Sequence, residues 1–361
     1  MITKLGTVIT EYSVRNKSKE NIPVYSVTNE QGFCTGYFSK EVASKDRTTY
    51  KIVPQGYFAY NPSRINVGSV DWQDCEERVI VSPLYVVFGV DKKLDQQYLL
   101  HYLKSDIART YINALATGSV RDNLKFSVLQ ELPINLRPID EQRKLASVLD
   151  YVDSVIGLRN EELSTLDTLV KSRFVELFGV YPLNPKGWET ATIRDIVTDV
   201  RYGSSRPAVD GGKYPYLRMN NITYGGELDL TDTKRIDIPD NELDKCTVRR
   251  GDVLFNRTNS KELVGKTCVY NRDEMMVLAG FVIRVRVTER ILPEFLSAFL
   301  NTDFSKRMLL GMCKAAIGQA NINAQEMQDI GIYLPPTELQ RQFVQFKEQT
   351  DKSKYYSITE R

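Results

Sequence analysis

The longest regular hydrophobic pattern in the chain lies between residues 138 and 178. Apolar side chains recur there every seven residues, at Leu149, Ile156, Leu163, Val170 and Leu177. This heptad spacing is typical of a helix that packs along another helix. Pro138 suits a first helical turn, and Gly179 suits the position just after a last turn. The pattern therefore predicts one helix of 41 residues, about 60 Å long.

Residues before and after this segment repeat at a nearly constant offset. The matched pairs are Gly56 with Gly251, Asn61 with Asn256, Gly68 with Gly265, Leu103 with Leu300, Asp106 with Asp303, Pro138 with Pro336, Gln142 with Gln340 and Arg143 with Arg341. All these offsets lie between 195 and 198 residues. Internal self-similarity at a fixed offset indicates a duplicated structural unit. We therefore predict two divergent copies of one unit, each a globular part followed by a helix.

Each globular part mixes strand-like and helix-like segments. Residues rich in β-branched and aromatic side chains predict strands at 24–28, 56–60 and 79–90 in the first copy and at 214–219, 252–255 and 276–287 in the second. Helical patterns follow at 95–116 and 293–316. The predicted fold class is α+β. Two tandem domains of mixed strand and helix are expected to be related by a pseudo-two-fold and separated by long antiparallel helices that pack as in a coiled coil.

This plan divides the chain into four segments. A first domain covers 1–137, the central helix 138–180, a second domain 181–334 and a short C-terminal helix 335–361. From Pro336 only 26 residues remain, so the second helix is at most about 39 Å long. We expect it to pack on the central helix and to leave the stretch near Leu163–Leu177 partly uncovered. Thr337 and Gln340 have the spacing of a capping box at its start.

Composition indicates a globular protein without a membrane span. The 361 residues are 42% hydrophobic and 26% charged, which suits more than one domain. No apolar run approaches the roughly 18 residues of a membrane span, and the N-terminus lacks the pattern of a signal peptide. The five cysteines are scattered and never form a CxxC pair, as expected of reduced thiols. We therefore expect a cytoplasmic protein.

Charge is distributed unevenly, although the formal net charge is only +2. Residues 245–266 carry six basic and two acidic side chains, and residues 201–220 carry four basic side chains against one acidic. The central helix instead has five basic and eight acidic residues. This distribution would concentrate a polyanion on the flanking domains rather than on the helix.

The residue combinations that enzymes use are missing from the sequence. His101 is the only histidine, and its position in an apolar helical run argues against a histidine metal site or a nucleophile–histidine triad. The GKT at 265–267 lacks the earlier glycine of a phosphate loop, because Ser260 stands at that position. We therefore predict a non-catalytic binding protein with no metal and no cofactor of its own.

Three sequence blocks carry a family resemblance. They are LPINLRPIDEQRKLASVLDYVDSVI at 132–156, YLPPTELQRQF at 333–343 and VRRGDVLFNRTNS at 248–260. The two Pro-x-x-x-Gln-Arg helix starts are the most specific of these features. Together with the tandem plan, the blocks resemble the specificity subunit of type I restriction–modification enzymes over essentially the whole chain.

The resemblance implies a division of labour between subunits. In this family two target recognition domains each read half of a bipartite, gapped sequence in double-stranded DNA, and two antiparallel helices hold them apart. The helices dock methyltransferase (M) subunits, two in number, which use S-adenosylmethionine to methylate adenine. Restriction (R) subunits, with ATP and Mg²⁺, add translocation and cleavage in phage defence. Similar domains on a rigid spacer would fit half-sites about one DNA turn apart.

Candidate DNA contacts follow from residue type, since Arg pairs with guanine and Asn or Gln with adenine in the major groove. In the first copy they are Asn29, Arg64, Asn66, Ser119, Arg121 and Asn123, and in the second copy Arg206, Arg218, Asn220, Asn221, Arg257, Asn259, Lys266, Gln319 and Asn321. Some of them would contact phosphates, which fix register without reading sequence. Asn61 and Asn256 recur in both copies and suit a structural turn equally well, so they are not counted among the readers.

Two other interpretations stay open on the sequence. The chain could serve another restriction or phage-defence system with the same plan, or it could be a tandem-repeat scaffold that binds protein partners and no DNA. Salt-dependent binding to duplex DNA distinguishes the scaffold from the other two, because phosphate contacts make affinity fall steeply with salt.

Overall fold

The computed structural model describes residues 1–18, 20–36, 47–116, 123–260, 263–313 and 320–359. The chain divides into two compact units, Met1–Leu158 and Arg159–Arg361. Each of six clusters of buried hydrophobic side chains lies within one unit. The prediction of two tandem globular parts is therefore confirmed.

The first unit is built on a four-stranded antiparallel sheet with order β2-β9-β6-β7. Its elements are β1 (Ile2–Lys4), β2 (Ile9–Glu11), β3 (Ser26–Thr28), β4 (Gly32–Cys34), β5 (Lys51–Pro54), β6 (Phe58–Tyr60), β7 (Val70–Trp72), β8 (Arg78–Val81), β9 (Val86–Val90), α1 (Gln96–Lys104), α2 (Asp106–Ala116), α3 (Phe126–Leu129), β10 (Pro133–Asn135) and the start of α4 (Ile139–Phe178). The pairs β1·β10, β3·β4 and β5·β8 form two-stranded ladders. Phe58 and Phe88 stack at 5.0 Å between ring centroids and share a core with Leu99 and Leu103 of α1.

The second unit contains two four-stranded sheets, with orders β12-β20-β16-β18 and β14-β13-β19-β15. Its elements are β11 (Glu189–Thr192), β12 (Val197–Tyr202), β13 (Tyr214–Leu217), β14 (Lys234–Ile236), α5 (Asp240–Cys246), β15 (Thr247–Val248), β16 (Val253–Asn256), β17 (Thr258–Asn259), β18 (Thr267–Val269), β19 (Met276–Leu278), β20 (Val282–Val287), α6 (Pro293–Leu300), α7 (Asp303–Met312), β21 (Ala320–Asn321), α8 (Ala324–Gln328), β22 (Gly331–Leu334) and α9 (Thr337–Thr359). The pairs β11·β22 and β17·β21 are separate ladders. The order β12-β20-β16-β18 repeats the order β2-β9-β6-β7 of the first unit, as the duplicated sequence predicts.

Gln142 explains why the first helix start in the repeated motif needs glutamine. Its side chain is fully buried. The Oε1 atom accepts from Asp95 N at 3.0 Å, and the Nε2 atom donates to Lys93 O at 2.8 Å and Arg137 O at 2.7 Å. One amide thus ties the start of α4 to the loop before α1, and glutamine alone offers an acceptor and two donors at this reach.

Gln340 makes the same connection in the second unit. Its Oε1 accepts from Leu292 N at 2.8 Å, and its Nε2 donates to Pro335 O at 2.8 Å and Arg290 O at 3.2 Å. The capping box predicted for Thr337 and Gln340 is therefore wrong, because the Gln340 amide is directed to the loop before α6. The same three hydrogen bonds from a glutamine amide therefore occur at the start of both helices, so the two copies match even in individual hydrogen bonds.

Two segments predicted as continuous strands are each split by a turn, between β8 and β9 and between β19 and β20. Tyr85 N donates to Ser82 O at 3.0 Å in the first turn, and Val282 N donates to Ala279 O at 2.9 Å in the second. Pro83 in the first turn has no N–H to offer a ladder. The predicted helix at 95–116 is likewise two helices, α1 and α2.

The predicted helix at 293–316 is also divided, into α6 and α7, and residues 314–316 lie outside the described part of the chain. Thr302 Oγ1 accepts from Ser305 N at 3.2 Å and caps the start of α7. Between α1 and α2, Ser105 Oγ accepts from Ala108 N at 3.3 Å in the same way. Hydrogen bonding by these hydroxyls, rather than proline or glycine, ends one helix and begins the next.

Helix α4 is unbroken over 40 residues, as the heptad pattern predicts. In the second unit α9 runs antiparallel to its second half. Phe343 near the start of α9 packs against Phe178 and Phe174, at 5.7 and 5.3 Å between ring centroids. Farther along α9, Lys354 Nζ lies 2.5 Å from Asp167 Oδ1. The two helices thus share an apolar contact at one end and an ion pair at the other.

Many apolar side chains of α4 stay accessible. In its second half Leu163, Leu166 and Leu177 are half-buried and Leu169 is exposed, which agrees with the expectation of partial cover. The first half exposes the set that we call the apolar face of α4: Leu145, Val148, Leu149, Tyr151, Val152, Val155, Ile156 and Leu158. Among the described residues, no helix is both long enough and apolar enough to cross a membrane.

Candidate DNA interface

In the second unit a short strand pair follows the end of β16 and gathers three of the predicted contact residues. Thr258 and Asn259 of β17 pair with Asn321 and Ala320 of β21. Arg257 immediately precedes β17, and its backbone oxygen accepts from Ile322 N at 2.9 Å. We call Arg257, Asn259 and Asn321 the second-unit patch.

The Arg257 side chain lies against an aromatic ring. Its guanidinium carbon lies 4.7 Å from the centroid of the Tyr202 ring, a cation–π arrangement. Within the described part of the chain, the buried Arg257 Nε has no hydrogen-bond partner. Asn321 is exposed and Asn259 is half-buried. The patch therefore combines an arginine with amide groups, the side chains that read guanine and adenine.

The side chain of Asn256 bonds to the backbone beside the second-unit patch. It is fully buried, and in the amide orientation that satisfies its neighbours it donates to Thr258 O at 3.0 Å and Phe281 O at 3.2 Å. In that orientation it also accepts from Asn259 Nδ2 at 2.9 Å. In the first unit, Asn61 Oδ1 accepts from the Ser63 backbone N–H at 3.1 Å. Asn61 thus stabilises the turn after β6, whereas Asn256 links the end of β16 to Thr258 and Phe281.

Two other predicted arginines of the second unit are bound to acids. Arg206 is exposed and pairs with Glu242 at 2.7 Å, and the bond from Arg206 lowers the pKa of the Glu242 carboxyl. Arg218 is half-buried and pairs with Asp232 at 2.8 Å. Asn220, next to this second ion pair in sequence, is exposed. DNA phosphates would have to compete with both carboxylates for these arginines.

Two predicted contact residues point inward. Lys266 is buried, its ammonium donates to Met219 O at 2.8 Å, and burial lowers its pKa. Asn221 is also buried, and its Nδ2 donates to Asp229 O at 2.8 Å. Because their polar atoms are bonded to the protein backbone, we leave both out of the proposed contact set. Gln319 lies outside the described residues.

In the first unit three of the predicted residues lie in or beside the loop after β6. Arg64 precedes the 3-10 turn Ile65–Val67, which contains Asn66. Leu124 N, next to Asn123, donates to Pro62 O at 2.9 Å. Asn29 lies in the turn between β3 and β4, and all four described residues, Asn29, Arg64, Asn66 and Asn123, are exposed. Ser119 and Arg121 lie outside the described residues.

The two sites correspond through the repeat. The bond from Leu124 N to Pro62 O in the first unit matches the bond from Ile322 N to Arg257 O in the second. Sequence analysis missed two exposed aromatic residues beside the second-unit patch, Tyr202 and Phe281. Strand register alone shows that these two residues lie beside the patch, because neither of them stands in a polar loop of the sequence.

Two copies of one α+β frame, each with arginine and asparagine side chains at an equivalent loop, define a tandem recognition protein. The family model described as the type I restriction modification DNA specificity domain matches residues 4–168 and 185–359. The chain therefore belongs to this family and carries its domain twice.

Curated relatives agree with this assignment. The EcoKI specificity subunit of Escherichia coli K12 is 25% identical over 279 residues, which are 73% of this chain and 60% of the relative. The EcoBI specificity subunit of Escherichia coli is 21% identical over 92% of this chain and 74% of the relative. The chain thus spans somewhat less than two thirds of the EcoKI subunit.

Solved structures show the same fold. A structure described as the basis of complex assembly and conformational transition of the type I R–M system has a TM-score of 0.56 and 19% identity, covering 99% of this chain and 92% of that chain. The S subunit of a type I system from M. genitalium has a TM-score of 0.55 and 14% identity, covering 100% of this chain and 91% of that one.

Proposed function

We propose that the chain is the non-catalytic DNA-recognition subunit of a type I restriction–modification system. Each unit reads one half of a bipartite, gapped sequence in double-stranded DNA. The observation that carries the proposal is a DNA specificity domain present twice, with arginine and asparagine side chains at matched loops. The proposed contact residues with described positions are Asn29, Arg64, Asn66, Asn123, Arg206, Arg218, Asn220, Arg257, Asn259 and Asn321.

The proposed protein partners are methyltransferase subunits bound along the apolar face of α4. Exposed apolar patches of this kind mark interaction surfaces, and the heptad spacing suits a helical partner. Restriction subunits join through them. S-adenosylmethionine, ATP and Mg²⁺ belong to these partner subunits, and the proposed compartment is the cytoplasm.

Mapping methylated adenines tests the proposal directly. Cells lacking other adenine methylation would express the chain with its cognate methyltransferase, and their DNA would be sequenced for modified bases. We expect a gapped motif with two specific halves. Continuous motifs, or a pattern unchanged when the chain is omitted, would contradict the proposal. Absence of salt-dependent binding to duplex DNA would favour the protein-only scaffold, because phosphate contacts make the affinity of a DNA-binding protein fall with salt.

A further inference from the structure

Each unit exposes one large apolar side chain at the same point of its fold. Leu84, in the turn between β8 and β9, is 79% exposed, and Phe281, in the turn between β19 and β20, is 53% exposed. The hydrogen bonds that close these turns, from Tyr85 N and from Val282 N, are matched at an offset of 197 residues. Leu84 and Phe281 are separated by the same offset.

Strand register places both side chains beside the candidate contacts. Asn256 pairs with Val282, so the next residue on each strand brings Arg257 opposite Phe281, and Arg257 N donates to Phe281 O at 3.0 Å. In the first unit Tyr60 pairs with Val86, which sets the loop after β6 opposite Leu84. Each exposed apolar side chain thus borders the loop proposed to read DNA.

The turn that carries Phe281 is rigidly held. Gly280 N donates to Ser204 O at 2.7 Å, and a Cβ atom added to Gly280 would lie 3.2 Å from that oxygen. Phe281 O accepts from both Arg257 N and the Asn256 amide. The backbone is fixed on both sides while the ring stays accessible, so its position is set before any partner binds.

We propose that Phe281 and Leu84 are wedges that enter the base stack of their half-sites and kink the DNA. The inference rests on the proposed function. Apolar side chains used in this way unstack a base step, while neighbouring arginine and asparagine side chains contact the groove. At Phe281 those neighbours are Arg257 and the asparagines of the second-unit patch. Each wedge favours a flexible pyrimidine–purine step, which adds specificity without hydrogen bonds to bases.

The test uses the full chain assembled with its methyltransferase subunits. The probe is a duplex that contains the mapped motif and carries donor and acceptor dyes at its ends. Phe281→Ala is expected to reduce the energy transfer gained on binding and to weaken affinity about tenfold, the scale of one lost stacking contact. Phe281→Leu retains a wedge, as in the first unit, and should keep most of both effects.

Met275→Ala is the matched control, because Met275 is exposed at the other end of β19 and should leave binding and bending unchanged. Leu84→Ala is expected to reduce bending at the other half-site, and the double variant should bend DNA least. Thermal melting verifies that each variant is folded.

The outcomes separate this inference from the proposed function. If wild type and Phe281→Ala both bind specifically and bend the DNA equally, the wedge proposal is wrong and the proposed recognition function is unaffected. If Phe281→Ala loses methyltransferase association while the bend per bound complex is unchanged, the turn contacts a protein subunit instead. That outcome would also contradict the wedge proposal. Absence of both a gapped motif and specific binding removes the proposed function itself.

Discussion

Gln142 and Gln340 are the residues at which the duplicated sequence is tied most directly to structure. Each buried amide joins the start of a long helix to a neighbouring loop through three hydrogen bonds. A shorter or charged side chain could not satisfy one N–H and two carbonyl groups together. The recurrence of glutamine in both motifs therefore follows from hydrogen-bond geometry.

Gln340→Ala is expected to destabilise the second unit by about 3 kcal/mol, because it leaves buried backbone groups without partners. Urea unfolding followed by Trp188 fluorescence measures the effect, in a Trp72→Phe background that removes the only other tryptophan. Gln342→Ala, exposed on the same helix, is the control and should cost little. Equal costs for the two variants would contradict the proposed role of the amide.

Arg257→Ala is expected to weaken specific DNA binding by about 1–3 kcal/mol, if one bidentate base contact is lost. The side chain rests on Tyr202 and makes no ion pair in the described part of the chain, so the fold should keep its stability. Arg250→Ala removes the same charge at the other end of β16, where Arg250 pairs with Asp273. An affinity loss of the same size in both variants would show a general charge effect instead.

Among the elements, α4 and α9 form the helix pair of the second unit. Phe174, Phe178 and Phe343 meet edge to face, and the fully buried Phe343 also belongs to the core formed with β20 and α6. The short helix is therefore joined to the domain core as well as to its partner helix.

Phe343→Ala is expected to cost about 3–5 kcal/mol, because it leaves a cavity between two helices and the core. Phe346→Ala, one turn further along α9 and only half-buried, should cost less. Trp188 fluorescence during urea unfolding again measures both. A larger loss for Phe346→Ala would show that α9 is held mainly by the Phe346 ring, which lies near Arg173, and not by the core contact of Phe343.

For the whole molecule, two recognition units in one chain imply that their binding energies combine. A duplex with both halves of the motif should bind on the order of a hundredfold more tightly than a duplex with one half, because the second contact becomes intramolecular. Titrations at several salt concentrations measure this ratio, with an unrelated duplex as the control. Equal affinities for the whole and half motifs would mean that only one unit reads DNA.

The sequence by itself determined the long helix, the duplication and the family. Apolar side chains at heptad spacing are typical of a long helix, and residues such as Gln142 and Gln340 recur because each copy needs the same hydrogen bonds. Only the tertiary structure decided where the polar side chains point. Lys266 and Asn221 look like DNA contacts in sequence, yet backbone carbonyls hold them inside. Phe281 looks like core in an apolar run, yet it is exposed in a turn whose Gly280 N–H bonds to the distant Ser204 O. Residue type and local spacing carry the first kind of information, whereas side-chain direction depends on strand register between distant segments.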